Sequence, residues 1–181
     1  MDEKKTRITA LDIRIVLAVA VCYLTSTALK QEGVVFVWGE RQLDIIQGMT
    51  ACAACLLCCQ DTTAISWKSG INRIIITAIG GLTGVCAVLA DQAVGNPWFM
   101  VVLVALGVLL TLFFCKAAKV PYINARIGAL TFILVSCNLT GTTRILYAGF
   151  RLLSTMYGVL VTIAVTWLCT RLSAVRQSRA Q

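Results

Sequence analysis

Arginine, threonine and glycine recur at one spacing in this chain, as Arg73, Thr77 and Gly80 and again as Arg151, Thr155 and Gly158. Positions i, i+4 and i+7 lie on one face of a helix, so each arginine heads a stripe of small residues. The first stripe continues through Gly81 and Gly84, the second through Thr162. Such stripes let helices approach closely, and helix contact is the ordinary role of Gly80, Gly81, Gly84 and Gly158. The chemistry rests with the arginines, which are permanent cations.

Arg151 lies inside an otherwise apolar run. A charge at that depth costs roughly 2.5 to 3.5 kcal/mol on insertion scales, so it faces a partner or a wet cavity. Carboxylates are scarce: Asp12, Asp44, Asp61 and Asp91 are the acids in or near the apolar runs. A route lined by Arg73, Arg151, Arg126 and Arg144, with the hydroxyls of Thr77 and Thr155, carries positive potential and selects anions. Arg73 has a simpler explanation as a topology-setting cation at a helix end. Asp91, in front of Gly95-Asn-Pro-Trp98, is read as an interfacial carboxylate or cap rather than a proton relay.

Other chemistries are poorly supplied. The chain has no histidine, which removes imidazole acid–base catalysis and imidazole ligation. Cys52-x-x-Cys55-x-x-Cys58-Cys59 superficially resembles an iron–sulfur run but lacks the fourth ligand and proline of the ferredoxin pattern. No metal and no cofactor are expected, and the cysteines read as small, reduced core residues. Walker loops, nucleophile elbows and paired carboxylates are missing, so an enzyme built on Asp61 and Asp91 is the weakest reading. The segment Gln60-Asp-Thr-Thr-Ala-Ile-Ser-Trp-Lys-Ser-Gly70 is polar, and Gln60, Asp61, Thr62, Trp67 and Lys68 form either a gate-like loop or a plain connection capped by Asp61.

The elements that position these residues are membrane helices. Of 181 residues, 59% are hydrophobic and 13% charged, against about a quarter charged in soluble domains. Six apolar runs predict an all-α polytopic protein with spans near 9–30, 43–59, 71–94, 97–115, 122–140 and 146–170. The first run is too long for a signal-peptide core and is expected to stay. An N-in, C-in orientation puts most of the 16 basic residues on the cytoplasmic side, leaving Lys30, Arg41, Arg144 and Arg151 outside. The net charge of +8 thereby follows from topology, and no nucleic acid is expected.

Superposing the two stripes shifts the chain by 78 residues, from Arg73 to Arg151, and sets Gln60 on Asn138 and Thr62 on Thr140. Three helices per half invert the second copy, which predicts a 3+3 inverted repeat. Topology then places Arg73 at the inner mouth and Arg151 at the outer one.

The stretch from Gln60 to Gly84, with Ser66-Trp-Lys-x-Gly70-x-x-Arg73-x-x-x-Thr77-x-x-Gly80-Gly81-x-x-Gly84, resembles the aromatic acid exporter family of the fusaric-acid-resistance superfamily. Ala148-Gly-Phe-Arg-x-x-x-Thr-x-x-Gly158 fits that family's last membrane helix. The resemblance implies a six-helix unit. The related plant aluminium-activated malate channels are homodimers with arginine-bearing anion pores, and Arg73 and Arg151 match arginine positions of the superfamily. Many relatives append a cytoplasmic domain or a second membrane unit; here a short polar tail follows Arg171, so a single unit is expected to pair with its own copy.

The expected function is transport of small organic anions, aromatic or other carboxylates, out across a bacterial inner membrane. The alternative is a non-transporting assembly or scaffold subunit whose arginines hold anionic lipid headgroups. A wet cavity joining Arg73 and Arg151 favours transport, and a dry interior favours the scaffold.

Overall fold

The computed structural model describes residues 9–38, 41–94, 97–137 and 143–178. In chain order they form α1 (Ala10–Gln31), β1 (Val35–Trp38), β2 (Arg41–Asp44), α2 (Gly48–Cys58), α3 (Thr63–Val94), α4 (Pro97–Ala117), α5 (Tyr122–Cys137) and α6 (Thr143–Ser178). The chain is an all-α membrane protein. Among the described residues α1, α3, α4 and α6 are long and apolar enough to cross a bilayer. With 11 and 16 residues, α2 and α5 rise about 16 and 24 Å, short of a hydrocarbon core of about 30 Å.

The second expected span, 43–59, is the largest departure from the hydropathy reading. Residues 43 and 44 belong to β2, which pairs antiparallel with β1 in the register Val35 to Asp44 and Phe36 to Leu43. The run Val35-Phe-Val-Trp38 is β-branched and aromatic, which suits a strand. This hairpin is fastened to the start of α6 by the rings of Phe36 and Phe150, 5.4 Å apart, and to α1 by Lys30 and Asp44, 3.3 Å apart.

The helix boundaries have local causes. Thr9 and Asp12 make a capping box at the start of α1, so Asp12 satisfies backbone groups rather than serving a route. Between α4 and α5 the chain reverses through Lys119 at φ 57°, with the Val120 N–H donating to the Cys115 carbonyl at 3.1 Å. The polar segment after Gln60 is mostly helix: Thr62 Oγ1 accepts from the Ile65 N–H at 3.3 Å, and α3 begins at Thr63 rather than 71. Trp67 and Lys68 are exposed on its first turns, while Gly70 is buried against Val159 of α6.

Contacts between helices repeat. α1 lies on α2 as α4 lies on α5; α3 lies on α5 as α6 lies on α2; α3 lies on α4 as α6 lies on α1; and α3 and α6 lie on each other. Exchanging the first three helices for the last three maps this arrangement onto itself. The two stripe glycines match in detail. A Cβ at Gly80 would meet the Gly128 carbonyl and Thr131 of α5, and one at Gly158 would lie 2.5 Å from the Ala51 carbonyl and 2.9 Å from Ala54 of α2. Gly84 is similarly closed by Val135. A Cβ at Gly81, by contrast, would meet Ala148 at an ordinary contact distance of 3.9 Å. Asn138 and Thr140, the expected counterparts of Gln60 and Thr62, lie outside the described residues.

Close helix approach lets α2 bury its cysteines. Cys22 and Cys55 bring their sulfurs to 3.3 Å, and Cys55 also lies 3.3 Å from the Gly158 carbonyl.

A side chain at Gly158 has nowhere to go, so Gly158→Val should destabilise the protein by about 3 kcal/mol or more. Gly149→Ala, on the same helix with nothing within 4 Å of the added Cβ, should be neutral or stabilising by up to about 1 kcal/mol. Thermal unfolding of both variants in detergent reads the contrast, and equal losses would contradict the close contact at Gly158.

Candidate functional site

The two arginines start from the middle of the bundle, not from its mouths. Gly70 faces Val159 and Gly81 faces Ala148, so α3 and α6 run antiparallel and in step. Arg151 is therefore level with Ala78, only about 7.5 Å along the axis from Arg73 at 1.5 Å per residue. This corrects the expectation of arginines at opposite mouths: topology counting fixes which end a helix starts from, but not how far the next helix slides along it.

From that shared depth the side chains diverge, because a helical side chain leans toward the start of its own helix. Arg73 reaches toward Ser69 and, across the gap, toward Cys58 of α2 and Asn124 of α5. Arg151 reaches toward Tyr147, whose hydroxyl its Nη1 meets at 3.3 Å. Since α3 and α6 are antiparallel, the guanidinium groups address opposite ends of the protein.

Neither arginine forms an ion pair with the acids in or near the spans. Asp12 caps α1, Asp44 is beside Lys30, Asp91 is beside Arg144 at 3.5 Å, and Asp61 is exposed at the foot of α3. Arg73 is 6% exposed, and its Nε and Nη1 are buried without a hydrogen-bond partner; Nε of Arg151 is in the same condition. The Arg73 side chain borders a recess of about 10 Å³ lined also by Leu57, Cys58, Ser69, Ile76, Asn124 and Ile127, room for about one water.

The remaining candidates have separate surroundings. Thr77 and Thr155 are buried and donate to the carbonyls of Arg73 and Arg151 at 2.8 and 2.9 Å, so both hydroxyls serve their own helices. Arg126 is exposed and stacks on Tyr122 at 4.7 Å. Arg144 and Asp91 form a junction between the end of α3 and the start of α6, with side chains 15% and 23% exposed. The Gln60 N–H donates to Ser66 at 3.0 Å, and the Asp61 carbonyl accepts from Arg14 at 2.8 Å. Arg144, Gln60 and Asp61 thus have partners other than the two central arginines.

Sequence reasoning passed over Asn124, Cys58 and Ser69 beside Arg73, and Gln47 and Tyr147 near Arg151. Gln47 holds the start of α2 to α6: its N–H donates to Ser154 at 2.8 Å, and its side chain to the Tyr147 carbonyl at 3.4 Å. The missed signal was the repeat offset, since the amides Gln47 and Asn124 stand almost the same distance apart in the chain as the two arginines.

Cavities among the described residues lie beside this centre. A groove of about 230 Å³ between α3 and α6 is lined mainly by apolar and small residues, among them Ala78, Gly81, Ala148 and Gly149. A polar recess of about 310 Å³ lies at the hairpin end, bordered by Lys30, Asp44, Gln47 and Tyr147. Neither they nor the Arg73 void is lined by both arginines.

The family model of fusaric acid resistance protein-like proteins matches residues 33–165, which include both arginine stripes and both short helices. The chain belongs to this family. No curated protein and no solved structure matches it. As a fusaric acid resistance protein-like chain it is a multi-pass membrane protein of a transporter family rather than an enzyme family.

The Arg144–Asp91 junction is shielded enough to contribute energy. A double-mutant cycle with Arg144→Gln and Asp91→Asn should return a coupling of about 1 kcal/mol, read by thermal or denaturant unfolding. Additive losses would mean that solvent screens the pair.

Proposed function

We propose that this chain carries small organic anions, aromatic or other small carboxylates, outward across a bacterial inner membrane, working as a homodimer of six-helix units arranged as 3+3 inverted repeats. The observation that carries this reading is the pair of central arginines with unmet buried donors. Two like charges placed near each other in a low-dielectric interior repel, and each pays for desolvation. An anion beside them relieves both costs. Because the guanidinium groups lean toward opposite ends, an anion released by one is within reach of the other after a modest displacement.

A carrier suits this reading better than an open channel, because among the described residues neither the α3–α6 groove, the hairpin-end recess nor the recess at Arg73 is lined by both arginines. Passage would then use a rearrangement of α3 against α6 or a path completed by the second protomer. The repeating helix contacts support the first route, since an inverted repeat can exchange the conformations of its halves. The N-in, C-in orientation belongs to the same proposal and follows the positive-inside rule.

A second reading draws on the same observation. Lys68 and Arg171 are exposed at the end where α3 starts and α6 finishes, and Arg171 lies over Trp167 at 5.5 Å. Exposed cations beside aromatic rings suit anionic lipid headgroups in an assembly subunit that moves nothing.

Replacing Arg151 with Ala decides between them. In proteoliposomes loaded with an aromatic carboxylate such as benzoate, the variant should lose at least about tenfold in flux, the scale of one lost charge-assisted contact, while circular dichroism and gel filtration stay unchanged. Undiminished flux in a folded Arg151→Ala protein, or no benzoate flux by the parent, sinks the transport reading and leaves the lipid-binding one.

A further inference from the structure

A recess of about 440 Å³ lies between the end of α4 and the start of α5, lined by Leu112, Phe113, Lys116, Val120, Tyr122 and Ala125. Its floor is part of the core, since Val120 and Ala125 belong to a buried cluster with Ile76 and Cys115. Its lining carries one cation and no carboxylate. Arg126 stacks its guanidinium on the Tyr122 ring at 4.7 Å, so a second cation adjoins the recess. A third, Lys119, is exposed in the turn that joins the two helices.

The surroundings of this recess are those of a membrane surface. Helix α4 packs mainly on α3 and α5, which leaves its other side facing outward. Leu109 and Phe113, one turn apart on that helix, are 66% and 63% exposed. The apolar stretch Trp98–Ala117 has 20 residues and rises about 30 Å, the thickness of a hydrocarbon core. Exposed Trp98 stands at one end of it, and exposed Lys116 and Tyr122 stand at the other. Aromatic and cationic anchors of this kind mark the two levels where hydrocarbon gives way to headgroups. The recess therefore opens at headgroup depth, with its apolar side continuous with the lipid-facing side of α4.

We propose that this recess binds one anionic phospholipid, its phosphate held by Lys116 with Arg126 and an acyl chain laid against Leu112, Phe113 and Val120. Charge and apolarity select the occupant together. A soluble phosphate gains nothing from the apolar lining, and a zwitterionic lipid adds its own cation to three already there. The site holds whether or not the chain transports organic anions. It also differs in place from the cations Lys68 and Arg171, because it has a shaped apolar floor beneath the charge.

The test is the unfolding temperature of the purified chain in detergent doped with phosphatidylglycerol or with phosphatidylcholine of the same acyl chains. Phosphatidylglycerol should raise it saturably, and phosphatidylcholine should not. Neither glycerophosphoglycerol, the soluble headgroup, nor benzoate should reproduce the shift. Lys116→Gln and Arg126→Gln should each raise the half-saturating phosphatidylglycerol fraction about fivefold, the scale of one Lys or Arg near an anionic surface. The pair Lys68→Gln and Arg171→Gln should leave it unchanged. Equal responses to the two lipids overturn the proposal, as does an equal loss in the Lys68/Arg171 pair, which means diffuse surface attraction. A full response to the soluble headgroup or to benzoate overturns it too, by removing the lipid. So does a change of oligomeric state in Lys116→Gln on gel filtration, which makes the recess a contact between copies.

Discussion

Helices in a bilayer gain little from hiding apolar surface from one another, because lipid is as apolar as leucine. What holds this chain together is close contact, and it is closest where Gly80 meets the Gly128 carbonyl and Gly158 meets the Ala51 carbonyl. Those two approaches set the separation of each long central helix from the short helix of the other half. With α5 seated on α3 and α2 seated on α6, the short helices lie beside the arginines and supply Asn124, Cys58 and Gln47. A bulkier residue at either glycine would remove the polar neighbours of an arginine along with the contact.

This order of dependence explains how a membrane interior accommodates two unpaired guanidinium groups. Each arginine stays in a regular helix whose backbone is satisfied, with the threonine four residues on bonded to its carbonyl. Each leans toward the start of its helix, so repulsion spreads the charges apart rather than breaking the bundle. The available carboxylates are committed elsewhere, at the α1 cap, the hairpin and the α3–α6 junction. The arrangement keeps positive potential in the middle of the protein and structural ion pairs at its periphery.

Much of this was legible in the residues. The paired stripes named both arginines and the glycines that seat their helices, and hydropathy located the four long spans. It misjudged the region before Arg73, because Ser66, Ser69 and Gly70 look like a loop when read for polarity. They are polar or small because they touch α2 and α6: Ser66 closes on Gln60, Ser69 on Leu57 and Gly70 on Val159. The run 43–59 was misjudged for the opposite reason, since apolar content says nothing about whether a stretch bends into a hairpin before its helix begins. The relative depth of Arg73 and Arg151 could not be read at all. It depends on the sliding register of two antiparallel helices, which only the contacts of Gly70 and Gly81 reveal.

The lengths of α3 and α6 have a mechanical meaning. At 32 and 36 residues they measure about 48 and 54 Å, well beyond a hydrocarbon thickness of about 30 Å. Two such rods packed antiparallel, with the arginines near the middle of their overlap, behave like a pair of long levers with the longest travel at the tips. A tilt too slight to disturb the guanidinium groups would sweep the projecting ends through several times that distance, so leverage on this protein is greatest where it leaves the lipid.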